Sequence, residues 1–66
     1  MENTVKILRK SAGWSQQDMA ERLGISRQSI ISIERGRYDP SLDLAIRIAQ
    51  IFDKPVEAIF FLDDKS

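Results

Sequence analysis

The chain has 66 residues, 42% of them hydrophobic and 30% charged, at a formal net charge of zero. This is the composition of one small globular domain near the lower size limit for a single core, not of a disordered segment. With no cysteine and no histidine, disulfides, ordinary zinc sites and Ser-His-Asp or Cys-His catalysis are excluded.

The neutral total hides two unequal halves. Residues 1–37 carry seven Lys and Arg against four Asp and Glu, a balance of +3, whereas residues 38–66 carry three against six, a balance of −3. A basic first half suits a polyanion, and an acidic second half suits a surface turned elsewhere. The opening "MENTVKILRK" alternates polar and apolar residues and lacks the apolar run of a signal peptide. No stretch approaches the roughly 20 apolar residues needed to span a bilayer. The expectation is a soluble, cytoplasmic protein.

Short helices follow one another, and no pair of strands is expected. The first helix spans about residues 4–12, with Asn3 as N-cap, Val5, Leu8 and Ala12 on one stripe, and Gly13 as its stop. Ser15 followed by Asp18 is a short-chain capping box that opens the second helix, and Trp14 and Met19 take the staple positions around it. Met19, Ala20 and Leu23 face inward, Gly24 ends the helix, and after the short turn "GIS" Ser26 caps the third. Two short helices joined by a tight glycine-containing turn are a helix-turn-helix pattern over about residues 15–35, shared with plain helical hairpins. Ala20 is small where the two helices cross.

Beyond Gly36, "RYDPS" reads as a turn, and Ser41 caps a fourth helix, "LDLAIRIAQIF". Its polar residues Asp43, Arg47 and Gln50 form one narrow stripe, which predicts a central buried helix. "DKP" breaks the pattern, and Pro55 suits the first turn of a fifth short helix, "VEAIFF". The polar end "LDDKS" is expected to fray. The fold class is all-α, with five helices in one domain over residues 1–66.

The third helix carries the functional signal. At roughly 100° per residue, Ile30 and Ile33 share the core side, while Arg27, Ile31, Arg35, Gln28 and Ser32 fan across the opposite face. Arg, Gln and Ser are side chains that read base edges and phosphates in a major groove. Ile31 in their midst is either an apolar contact for a thymine methyl or an ordinary exposed isoleucine.

Residues 15–60, "SQQDMAERLGISRQSIISIERGRYDPSLDLAIRIAQIFDKPVEAIF", resemble the phage-repressor and xenobiotic-response-element (XRE) group of helix-turn-helix regulators. The resemblance rests on the joint spacing of S-Q-x-x-x-A-x-x-L-G-x-S, I-x-x-I-E-x-G, Y-x-P-S and L-x-x-A. It implies a lambda-repressor-like domain of five helices, with the second crossing the DNA backbone and the third in the major groove. It also implies two-fold dimers on palindromic sites, whose half-sites lie about 34 Å or 10 base pairs apart. By this resemblance Gln16 matches a phosphate contact at the start of the second helix. Arg27, Gln28 and Ser32 match base-reading positions, with Arg27 equally placed to clamp phosphate. Arg35, Arg37 and Tyr38 match the segment that leans on the backbone after the recognition helix. Arg9 and Glu34 match a charged pair that braces the first helix against the third. Three departures stand out: Ile31 where the family often has a polar or small residue, the anion Asp39 near the phosphate track, and Trp14 in place of an aliphatic residue.

The C-terminal residues 56–62 are the dimerisation segment expected from the sequence. Ile59 and Phe60 complete the core with Val56, while Phe61 and Leu62, with Ile46 or Ile51 beside the polar stripe, form an apolar contact surface. The alternative has Phe61 folded back onto the first helix. The leading function is a sequence-specific, double-stranded DNA-binding regulator acting as a homodimer, with no cofactor and no small-molecule domain. A protein-interaction module of antitoxin type is the other reading. An enzyme is disfavoured because nothing activates a nucleophile and no Gly-rich phosphate loop occurs.

Overall fold

A computed structural model describes residues 1–62. In chain order the elements are strand β1 (Glu2–Asn3), helices α1 (Val5–Ser11), α2 (Gln16–Leu23), α3 (Arg27–Glu34) and α4 (Leu42–Phe52), one 3₁₀ turn (Val56–Ala58), and strand β2 (Phe60–Phe61). The expected fraying of the polar tail concerns residues 63–66, which lie outside the described residues.

The cap signals set the helix starts. At α2 the Ser15 hydroxyl accepts from the Asp18 N–H and the Asp18 carboxylate accepts from the Ser15 N–H, each at 2.9 Å, so two groups with no helical partner satisfy each other. Ser26 and Ser41 accept from the N–H groups of Ser29 and Leu44 in the same way. Gly24 ends α2 at φ 70°, a left-handed conformation that costs glycine little. The Arg47 guanidinium donates to the carbonyl of Leu23, the last residue of α2, so one member of the polar stripe of α4 closes another helix.

Three expectations are corrected. Asn3 is not the N-cap of α1; Thr4 holds that position without a side-chain cap bond. From one residue earlier, Asn3 accepts from the Val5 N–H at 3.0 Å and donates to the Ile33 carbonyl at 2.8 Å, which ties the start of α1 to the end of α3.

The fifth helix is absent, and a strand pair stands in its place. Pro55 at φ −70° and ψ 154° opens a single 3₁₀ turn, closed by Ala58 N–H to Pro55 and Ile59 N–H to Val56. The chain then extends, and β2 pairs antiparallel with β1 in the register Glu2 to Phe61 and Asn3 to Phe60. The two phenylalanines favour extended backbone, and β1 supplies partners for it. Phe60 turns into the core and Phe61, 40% exposed, turns out, as the alternation of a strand requires.

Helix α4 is not buried all round. Leu44, Ala45, Ile48 and Ala49 face inward, whereas Leu42 is 74% and Ile46 43% exposed.

The core joins Val5 of α1, Met19, Ala20 and Leu23 of α2, Ile30 and Ile33 of α3, the inner face of α4, and Ile59 with Phe60. Helices α2 and α3 make the most extensive pairing, with Ala20 buried at it. Trp14 stacks on Phe52 with ring centroids 5.4 Å apart, and Arg22 lies 4.2 Å over the indole, which joins the α1–α2 turn to the end of α4. No helix among the described residues is long and apolar enough to cross a membrane.

The Asp18 carboxyl is held below its ordinary value of 3.8, first by the hydrogen bond from the Ser15 N–H, then by the Ser15 hydroxyl, with a smaller pull from Arg22. A lowered folded-state pKa stabilises the fold fully above the unfolded value and ceases to do so as pH falls through the folded one. In urea unfolding, the stability difference between the wild type and Asp18→Asn is expected to stay constant above about pH 5 and to shrink below it.

Candidate nucleic-acid interface

The position of α3 follows from its apolar residues. Ile30 and Ile33 are fully buried, and one turn of helix cannot bury the residues opposite them as well. The wall of α3 turned from the core therefore carries Arg27, Gln28 and Arg35 exposed, and Ile31 and Ser32 half-buried.

That wall has two flanks. On one, Arg27, Ile31 and Arg35 line a cleft of about 340 Å³ together with Lys6 of α1, Gln16 of α2 and Glu34. On the other, Gln28 and Ser32 line a shallower hollow of about 300 Å³ with Ser26, Ser29 and Tyr38. One flank is cationic and the other is neutral and hydroxyl-rich.

Beneath the cationic flank lies a buried ion pair. The side chains of Arg9 and Glu34 are 8% and 4% exposed. Arg9 donates through Nε and Nη2 to the two carboxylate oxygens and through Nη1 to the Trp14 carbonyl at 2.9 Å. Gln16 Nε2 donates to the same carboxylate at 3.2 Å. The fork geometry suits a buried pair because it satisfies both oxygens at once. Sequence reasoning placed Gln16 outward toward phosphate; the structure has it half-buried, with one amide N–H committed to Glu34 and the side-chain oxygen and second N–H still available.

The segment after α3 is shaped by Gly36 at φ 74°, where an added Cβ would also lie 3.1 Å from the Met1 carbonyl oxygen. The N–H groups of Gly36 and Arg37 donate back to Ile33 and Ser32, closing the helix in the manner of a left-handed C-cap. Arg37 and Tyr38 stand exposed beyond this turn. Asp39, the anion that departs from the family pattern, is 3.3 Å from the Met1 amino group.

Three contributions escaped the sequence reading. Asn3 and Met1 fasten the end of α3, and only the pairing of β1 with β2 brings them there. Lys6 reaches the cationic cleft from α1. Its signal was present, because it precedes Arg9 by three residues and so shares that side of the helix.

With this geometry in place, comparison with known proteins gives the class. A family model described as helix-turn-helix matches residues 5–59, and the chain belongs to the XRE-type helix-turn-helix family of transcriptional regulators. It is similar to an uncharacterized HTH-type transcriptional regulator of Methanocaldococcus jannaschii, at 48% identity over 64 residues and 97% of each chain. It is also similar to the uncharacterized HTH-type transcriptional regulator YgzD of Bacillus subtilis, at 41% identity over the full length of both. Among solved structures, the restriction-modification controller protein C.AhdI from Aeromonas hydrophila superimposes with a TM-score of 0.75, at 28% identity and 85% coverage of each chain.

Removing one partner of a buried, hydrogen-bonded ion pair strands the other, which costs about 3–5 kcal/mol, while an apolar pair of similar volume is close to neutral. Arg9→Met is expected to lose stability in that range. Arg9→Met with Glu34→Leu is expected to regain most of it, as read from a double-mutant cycle in chemical denaturation.

Proposed function

We propose that the chain is a sequence-specific, double-stranded DNA-binding repressor that acts as a homodimer on a palindromic operator, with α3 of each copy in the major groove. The observation that carries this reading is the division of α3: Ile30 and Ile33 are fully buried, while Arg27, Gln28 and Arg35 stand exposed on the opposite wall. Membership of a transcriptional-regulator family supports the same reading.

The side chains take roles set by their chemistry. Gln28 reads adenine through its amide, and Arg27 reads guanine or holds a phosphate at the start of α3. Ser32 bonds to a base edge, and Ile31 meets a thymine methyl. Arg35, Arg37 and Tyr38 contact the backbone beside the groove, and Gln16 donates its second amide N–H, which Glu34 leaves available, to a phosphate. Occupying a promoter is sufficient for repression.

A second copy of the chain is the partner proposed for the exposed apolar residues. Leu62 is 84%, Ile46 43% and Phe61 40% exposed, and large apolar side chains left open on a small protein are candidates for a contact surface. Leu42, 74% exposed, stands one turn before Ile46 on the same side of α4. Ile51 packs half-buried against the core and contributes its remaining edge. An isologous pairing relates two α3 helices by a two-fold axis, as a palindromic site with half-sites about 34 Å apart requires.

Selection from a random duplex pool is expected to return an inverted repeat with that spacing. On the selected site, Gln28→Ala is expected to cost about 1–3 kcal/mol while leaving affinity for random duplex unchanged. Arg37→Ala is expected to weaken both equally and to lower the salt slope by about one. Equal losses for Gln28→Ala on both duplexes would return that residue to the phosphates. Sedimentation is expected to show a dimer at tens of micromolar; a monomer there, unchanged by operator, removes the dimer.

A further inference from the structure

We propose that the cleft between α1 and α3 is a seat for a single DNA backbone phosphate, with Lys6 as its first ligand and Arg27 and Arg35 closing the opposite wall. The proposal rests on the DNA-binding reading and adds to it a helix that sequence reasoning left out of the interface.

The cleft brings three cations from two helices around a space of about 340 Å³. Among the described residues the ion pairs are Arg9 with Glu34 and the Met1 amino group with Asp39, so Lys6, Arg27 and Arg35 have no carboxylate partner there. Like charges gathered around a concavity repel one another, and an anion in their midst relieves that repulsion. The one carboxylate on the wall, Glu34, is already bound by two Arg9 donors and by Gln16, so its charge is offset before any ligand arrives.

The chemistry points to a phosphodiester rather than a base. Lysine is a compact point charge with three rotatable donors and no planar fork with which to discriminate base edges. Lys6 also stands on α1, to the side of the helix proposed to enter the groove, where the backbone runs. Ile31 on the inner wall offers no hydrogen bond and meets the sugar edge or a base methyl instead. A contact here fixes how far α3 slides and rolls in the groove, which is what backbone contacts do.

The experiment measures affinity against salt, from 0.05 to 0.2 M KCl, on the selected operator and on a random duplex of equal length. Wild type is compared with Lys6→Gln, Lys6→Ala, Lys6→Arg and Lys10→Gln, and melting curves confirm folding. Lys10 lies one turn along the same helix and does not line the cleft. Neutral variants at Lys6 are expected to lose about eightfold at 0.1 M salt on both duplexes, with the log–log slope reduced by about 0.9. Lys6→Arg is expected to retain the wild-type slope, and Lys10→Gln to lose markedly less than Lys6→Gln. Lys6→Ala separates loss of charge from any local effect of glutamine. Equal losses for Lys6→Gln and Lys10→Gln would reduce the seat to diffuse positive charge and overturn it. An unchanged slope at Lys6, in a chain that binds operator, overturns the seat alone. A wild type that binds no duplex overturns the DNA-binding reading and the seat together.

Discussion

The Arg9–Glu34 pair ties α1 to the end of α3, and the orientation of α3 depends on it. Arg9 holds Glu34 with two hydrogen bonds and the Trp14 carbonyl with a third, while Gln16 reaches the same carboxylate from the start of α2. One cluster thus joins α1, the turn after it, α2 and the end of α3. A buried ion pair adds little net stability over an apolar pair of the same volume. Its contribution here is directional, because two planar groups in a fork accept few relative orientations. It also settles an electrostatic conflict, since a carboxylate facing a polyanion would repel it, and Arg9 removes that repulsion from within the fold.

Around this cluster, a chain of 66 residues has little apolar area with which to oppose its conformational entropy. Short helices leave a large share of their backbone groups without helical partners. The structure answers with side-chain caps at three helix starts and with Arg47 on the end of α2. The first and last strands of the described residues pair as β1 and β2, and Asn3 and Met1 carry that closure across to the last turn of α3. The segment that follows α3 is therefore held by the first residues of the chain.

The two flanks of α3 differ in chemistry. Cations gather where α1 and α2 meet α3, and hydroxyls and an amide gather on the side of Tyr38. In the proposed complex this separates work along the groove, with charge holding the backbone on one side and neutral hydrogen-bonding groups exploring base edges on the other. The uneven halves of the sequence have a matching expression, because the acidic second half contributes none of the residues of the cationic cleft.

What the sequence determined by itself was local and periodic. Ser15, Asp18, Ser26 and Ser41 announce helix starts because a cap is formed within three residues. Ile30 and Ile33 name the inner side of α3 because helical geometry fixes which residues share a face. Arg9 and Glu34 could be paired only through the family resemblance, since 25 residues separate them. Tertiary structure decided the rest. The segment "VEAIFF" has the composition of a helix as readily as of a strand; it makes one 3₁₀ turn, and then Phe60 and Phe61 extend because Glu2 and Asn3, more than fifty residues away, supply backbone partners. Lys6 enters the cleft, Gln16 turns to Glu34, and Leu42 and Ile46 remain uncovered for the same reason. Each outcome depends on which neighbour packing brings alongside, and no periodicity within a single helix encodes that neighbour.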